Sequence, residues 1–597
     1  MQLRNFKKYF KNKKESAFIM KKQTKLVAVL STAALLAIGA SMTSFAATGW
    51  AEEDGTWVYY NRDGERATDS WKKSGNNWYY LDSDGEMAID QLIEDGDNYY
   101  YVDINGVMAS NQWVAIENED AGEDDEPEHY WYYFQANGKA LTNGDNTNIA
   151  LKTINGKKYA FDEEGKMLYG WVAEDNAERI DNTDGDGFKE GDYYFGGEDD
   201  GAMTTGWLLM DITYDEATSD YEIAPAFNED EDQSRWFYFK SNGKKVSSGV
   251  DNADETKDKT INGKKYTFDH YGAMVAEWSL DKEKASDNLG TSNLPEGGKS
   301  TTAKYAKAWR YFSSVEDGAR VSKGWFKVVA AEYLNKGKYD DDEDAWYYAD
   351  GSGNLYAGEF KTIKGKKYAF RTDGRMINGL KFIQRDIEGN ITDVKADDDD
   401  PNFDTEDDFI KHAIDFYLKN DYECYYFGGG EDGAMRTNKT NITIDGDNFN
   451  FYFEKSGSNK GAGLTGEKDD KYYLAGMLVK AGSDEKYQVV KKVTLSNGKV
   501  AYQKIADAKK FLEEVAHTTP AADSNGKVTI GGDNTGAVTK KSDDLKEAYD
   551  ITTPSDTYFL VNTSGSVVDK KGKSKDGDDY VYVTTSKGVI IGVYVED

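Results

Sequence analysis

The chain is poor in most residues on which catalytic and cross-linked folds depend. It has one cysteine, Cys424, in 597 residues, so no internal disulfide can form. It has four histidines, His129, His270, His412 and His517. No two have metal-ligand spacing, and none forms a visible triad with Ser or Cys. Proline numbers only 6, so few strand donors are removed. Positive charge is scarce, with a net charge of −35, which excludes nucleic acid as a natural partner and disfavours anionic lipid. It tolerates cations, such as quaternary amines or Ca²⁺, and neutral glycans. Hydrophobic residues make up only 38%, too few for one large aliphatic core in a chain this long.

Aromatic residues and glycine are abundant. Aromatics reach 14%, with 42 Tyr, 26 Phe and 13 Trp, and Gly numbers 59. The rings recur in a pattern. Gly49-Trp50 is followed by Trp57-Val58-Tyr59-Tyr60 and Asp63-Gly64, and Trp71 by Trp78-Tyr79-Tyr80-Leu81 and Asp84-Gly85-Glu86-Met87. Tyr99-Tyr100-Tyr101 and Trp131-Tyr132-Tyr133 repeat it. A second form reads Ile154-Asn155-Gly156-Lys157-Lys158-Tyr159, with copies at 261–266 and 363–368. A third has a Gly-rich turn, at 193–203 and 425–435. Ring runs favour strands, and the Asp/Asn-Gly after them is expected to close a hairpin whose return strand starts at Met. Strand alternation puts Trp78 and Tyr80 on one face and Tyr79 on the other. A lone hairpin is marginal in water, so the units must stack. The expected fold is all-β: a β-hairpin repeat solenoid with loop insertions and a small C-terminal α+β or repeat-like domain.

Three regions follow. Residues 1–46 read as a basic extension and signal peptide: Lys21, Lys22 and Lys25 precede an apolar run from Leu26 to Ala40, and Ser44-Phe45-Ala46 offers a cleavage site. No Cys follows that run and no apolar tail ends the chain, so noncovalent retention at the cell surface is expected, with no membrane span after signal cleavage. Residues 47–482 hold the repeats, interrupted by acidic insertions at 117–128, 174–192, 211–234, 281–302 and 336–344. The longest interruption, 381–421, includes Asp397–Asp400 and a helix-compatible stretch at 409–417; Leu294-Pro295-Glu296-Gly297 reads as a loop. Residues 483–597 depart from the repeat, with a helical face at Ile505, Ala508, Leu512 and Val515 and strands at 557–561 and 580–584.

The motif Gly-Trp … Trp-Tyr-Tyr … Asp-Gly-x-Met resembles the choline-binding or cell-wall-binding repeat family, related to glucan-binding repeats and to the repeats of large clostridial toxins. The resemblance covers roughly residues 48–482. It implies ligands held between consecutive hairpins in a cage of aromatics and often a Met. Carried over, a first cage would draw Trp50 and Trp57 from one hairpin and Trp71, Trp78 and Met87 from the next. Tyr80, Trp113, Trp131, Trp171 and Trp207 are further candidates. Rings hold quaternary ammonium by cation–π attraction. Lys158, Lys265 and Lys367 stand where the first Trp of the aromatic strand would be, and are expected to repel a cation in later units.

The reading is a secreted, noncatalytic surface protein bound through these repeats to choline-bearing teichoic acid or to glycans. It needs no cofactor and has no catalytic or metal residues to nominate. Asp181-Asn182-Thr183-Asp184-Gly185-Asp186 and Asp82-Ser83-Asp84-Gly85 lack the spacing and closing Glu of a Ca²⁺ loop. Two rivals remain: a wall hydrolase, amidase or glycosidase, with a catalytic unit hidden in the C-terminal segment or at 381–421, and an adhesin or toxin-like binder of host glycans.

Overall fold

The computed structural model describes residues 48–122, 126–212, 233–249, 255–281, 284–285, 301–395, 403, 405–495, 498–552, 557–569 and 574–597. The leader, the loop at 294–297 and the acidic run at 397–400 lie outside the described residues. The chain is mostly β, built of many two-stranded antiparallel sheets. Its contacts divide it into two compact units, one of residues 1–283 with 311–320, the other of 284–310 with 321–597.

In the first unit, Gly49–Glu53 pairs with Thr56–Tyr60, Ser70–Ser74 with Asn77–Leu81, Gln91–Asp95 with Asn98–Val102, and Gln112–Glu117 with His129–Phe134. Further hairpins join Lys152–Ile154 to Lys157–Tyr159, Trp171–Val172 to Tyr193–Tyr194, Gly206–Ile212 to Gln233–Phe239, and Lys257–Ile261 to Lys264–Phe268. The hairpin turn therefore lies before the aromatic strand, not after it as the sequence suggested. Asp54-Gly55 and Asn155-Gly156, positive in φ at both residues, supply two of these turns. The Asp-Gly after the aromatic strand makes a second tight turn that closes only single bridges, such as Leu81↔Met87 and Val102↔Met108. In that turn the Asp82 carboxylate accepts from the backbone N–H groups of Asp84 and Glu86, so this acidic cluster is turn chemistry.

That second turn ties one hairpin to the next. Met87 N–H donates to the Trp57 carbonyl at 2.7 Å, and Met108 N–H to the Trp78 carbonyl at 2.9 Å, each reaching the preceding hairpin. The Met side chain then lies on the glycine of the following turn. A Cβ on Gly138 would come within 2.4 Å of the Met108 sulfur, and one on Gly201 within 2.2 Å of the Met167 sulfur. These glycines also have φ of +84° and +53°, so the repeat needs Gly for two independent reasons.

In the second unit, Gly324–Val329 pairs with Asp344–Ala349 and Glu359–Ile363 with Lys366–Phe370. The described parts of the long interruption are folded. Leu380–Arg385 is the centre of a three-stranded sheet with Ile391–Lys395 and Glu423–Tyr426, and Glu406–His412 is a helix continued by a wider π-helical turn, Ala413–Leu418. Leu380, Phe382, Phe409 and Cys424 share one core with Val490, Tyr502, Phe559 and Val589. The C-terminal segment thus packs continuously with the residues before it. Its helix is Ala508–Glu514; Ile505 ends a strand and Val515 is extended, so the expected four-residue helical face is cut at both ends. The strands Tyr558–Asn562 and Tyr580–Thr584 form where the sequence places them. Among the described residues no helix is long and apolar enough to cross a membrane.

Candidate functional site

Strand register decides which rings meet. In the second hairpin Trp71 lies opposite Tyr80 and Lys73 opposite Trp78, so Trp71, Trp78 and Tyr80 share a face. Trp71 packs edge-on to Tyr80 at 5.1 Å within its hairpin and tilted against Tyr100 of the next hairpin at 5.0 Å. Tyr79, on the opposite face, reaches back to Trp50 at 5.2 Å. Each step between hairpins therefore joins the tryptophan face of one to the tyrosine face of the next.

The result is a recurring quartet. It comprises the first-strand Trp, the leading Trp of the aromatic strand, the next hairpin's central Tyr, and the next hairpin's Met. Among the described residues the full set occurs at Trp50/Trp57/Tyr79/Met87 and at Trp71/Trp78/Tyr100/Met108. It recurs at Trp113/Trp131/Tyr159/Met167, Trp207/Trp236/Tyr266/Met274 and Trp325/Trp346/Tyr368/Met376. The bracing Trp–Tyr distance is 4.9 Å in each of the last three. Trp207 and Trp236 stand at 87° with centroids 6.1 Å apart, and Trp325 and Trp346 at 87° and 6.3 Å. Such perpendicular indoles form two walls of a corner. All the quartet tryptophans are half-buried or, for Trp78, 39% exposed, whereas Tyr79, Tyr159 and Tyr266 are buried. The tyrosines brace the corner, and the indoles keep part of their surface exposed. Carboxylates stand nearby: Asp95 accepts from the Trp71 indole N–H at 3.1 Å and Asp199 from that of Trp131 at 3.4 Å. Negative potential beside a ring face favours a cation there.

The sequence-derived candidates distribute as follows. Trp50, Trp57 and Met87 meet in one quartet, but with Tyr79, while Trp71 and Trp78 belong to the next. Tyr80 packs on Trp71 as a cross-strand partner. Trp113, Trp131 and Trp207 are quartet members. Trp171 is 2% exposed and walled in by Tyr194, Phe237 and Phe239, so it has no open face. Sequence reasoning missed Tyr79, Tyr100, Met108, Tyr159, Met167, Trp236, Tyr266, Met274, Trp325, Trp346, Tyr368 and Met376. The signal was the recurrence of a two-Trp hairpin before each Ile-x-Gly-Lys-Lys-Tyr hairpin, starting at Trp113, Trp207 and Trp325.

The three lysines do not sit in quartets. Lys158 shares its step with Leu151, Tyr193 and Met203, Lys265 with Asp258 and Arg320, and Lys367 with Phe360 and Tyr425. Their hairpins instead give Tyr159, Tyr266 and Tyr368 to the preceding tryptophans. Cation repulsion in the later units, expected from position alone, therefore falls on other steps. Among the described residues no three His, Cys, Asp or Glu side chains group as a metal site.

Residues 67–113 match the choline-binding repeat. Glucosyltransferase-S of Streptococcus mutans serotype c is 24% identical over 271 residues, 42% of this chain and 16% of that protein; the chain thus spans a small part of the curated relative it matches. Among solved structures, the modular autolysin LytC from Streptococcus pneumoniae aligns at a TM-score of 0.27 and 18% identity, over 62% of this chain and 59% of that one. Choline binding protein F from the same organism aligns at 0.20 and 16% identity, over 73% and 100%.

Proposed function

With residues 67–113 a choline-binding repeat, we propose that the chain is a secreted, noncatalytic attachment protein whose quartets hold the quaternary ammonium groups of a cell-wall polymer. The observation that carries the reading is the recurrence of two partly exposed indoles beside a Tyr and a Met of the next hairpin, with the indoles perpendicular at Trp207/Trp236 and Trp325/Trp346. Each ring face contributes about 0.5–2 kcal/mol to a bound ammonium. Single sites of that kind are weak, and several on one chain bind a repetitive polymer by avidity. The acidic surface supports a cationic group over a bare polyanion. Calorimetric titration with choline tests the proposal directly: saturable binding with several sites per chain is expected, and no heat at millimolar choline would refute it.

A second reading, glycan stacking on the same indoles, draws on the likeness to a glucosyltransferase over 271 residues. Retention on α-glucan resin that free choline does not reverse would favour it. The noncatalytic part is tested by incubating the protein with purified walls, where release of sugar or peptide ends would make it a hydrolase.

A further inference from the structure

We infer that the Trp171 step is a sixth cation cage, built for a primary alkylammonium and permanently occupied by the chain's own Lys245. By register Lys245 holds the place of the quartet methionine: its N–H donates to the Asp192 carbonyl at 2.7 Å, as Met87 donates to Trp57. Phe237 holds the place of the bracing Tyr, with its ring 5.6 Å from the Trp171 indole. The leading Trp is replaced by Asp192. The Lys245 ammonium lies 5.1 Å from the Trp171 ring centroid and donates to the Phe188 carbonyl. The whole side chain is buried.

The acidic insertion at 174–192 closes this cage. Phe188 is buried against Phe237 and Tyr271. Gly187 and Gly191 lie so close over the Trp171 indole that a Cβ would meet its ring atoms at 3.0 and 2.6 Å. The insertion is thus a lid on this one indole. Burial lowers the Lys245 pKa to about 8, against the pull of Asp192 and Asp269, which leaves the ammonium charged at neutral pH. A buried ammonium without such partners would be costly, and the ring face, carbonyl and nearby carboxylates supply them. A lysine also covers a ring at another step lacking a leading Trp, but from a different register position: Lys367, in the leading place of its own hairpin, lies 4.7 Å over the Phe360 ring. The Phe188 carbonyl accepts from an N–H, which a quaternary ammonium lacks and the primary ammonium of Lys245 supplies.

Chemical rescue tests the assignment on the full chain. Lys245→Ala removes the atoms that n-propylammonium would replace. Its melting temperature is expected to fall, and then to rise with added n-propylammonium chloride by about 2–4 °C more than wild type's does. Tetramethylammonium and sodium chloride should give no such difference. Lys245→Met, which fills the space without a charge, should fold and show no specific response. A Lys245→Ala chain that responds like Lys245→Met, or that stays unfolded in n-propylammonium, overturns the inference. The inference borrows the quartet geometry from the proposed function, but its readout does not involve choline: failure of choline to bind would sink that function and leave the rescue intact.

Discussion

Trp236→Ala removes one wall of one quartet and leaves the rest standing. Trp207, the facing wall, keeps its edge contacts with Tyr238 at 5.1 Å and Tyr266 at 4.9 Å, so its orientation should survive. Losing one ring of three costs a bound quaternary ammonium about 0.5–2 kcal/mol, or roughly 2–30-fold in affinity at that site. Because the other quartets are untouched, a choline titration should show one site moved to weaker binding while the remainder keep their affinity. Trp171→Phe is the matched control: its indole is sealed, so the site count should stay that of wild type while stability falls. Isothermal titration of both variants beside wild type decides the matter. If Trp236→Ala leaves the isotherm unaltered, or Trp171→Phe changes the count, the quartets are packing and the ligand lies elsewhere.

Three other expectations follow from the same geometry. Gly138→Ala should destabilise the first unit by about 1–2 kcal/mol of backbone strain plus the cost of displacing Met108; made on a Met108→Ala background, urea unfolding should register the strain alone, and an equal cost in both backgrounds would refute the contact. Burial pushes Asp162 up to about 6 from 3.8, so its contribution to stability is present below the unfolded value and is lost as pH rises through 6. At about 1.4 kcal/mol per pH unit that amounts to about 3 kcal/mol at pH 7. Asp162→Asn, whose amide oxygen can still accept from Lys166 N–H, should therefore melt higher than wild type at pH 7 and equally at pH 4; a pH-independent gap would contradict the burial argument. Cys424 is buried and its thiol is pushed well above the usual range, so thiol reagents should label it only after denaturation.

Much of this was legible from the residues. Ring runs gave the strands, and the two-residue alternation of Trp78-Tyr79-Tyr80 already assigned Tyr79 to the opposite face. What failed was the step from faces to partners. The sequence suggested that tryptophans of adjacent hairpins meet, whereas the next hairpin offers its tyrosine face and keeps Trp71 and Trp78 for the following step. The turn was misplaced for a related reason. Both Gly75-Asn76 and Asp84-Gly85 have turn chemistry, and only pairing partners across the chain reveal which one closes the two-strand ladder. The extent of the helix around 505–515 was lost to tertiary packing, since Ile505 is drawn into a strand beside Val489.

The uneven spacers enter where they do no harm. Glu117 still pairs with His129, Ile212 with Gln233 and Val329 with Asp344, so each insertion replaces a hairpin's tip. The first-strand Trp lies near the other end of the same strands, four or five rungs from the tip. Lengthening a tip costs only about 0.6 kcal/mol per doubling, and the register at the Trp end is held by the ladder between. The exception tests the rule. Trp171–Val172 and Tyr193–Tyr194 form a ladder of two rungs, so the insertion there begins beside the indole itself. With no ladder to hold it away, it folds back over Trp171 and brings Phe188 to the Lys245 ammonium. The length of the ladder, rather than that of the insertion, thus separates an open indole from a covered one.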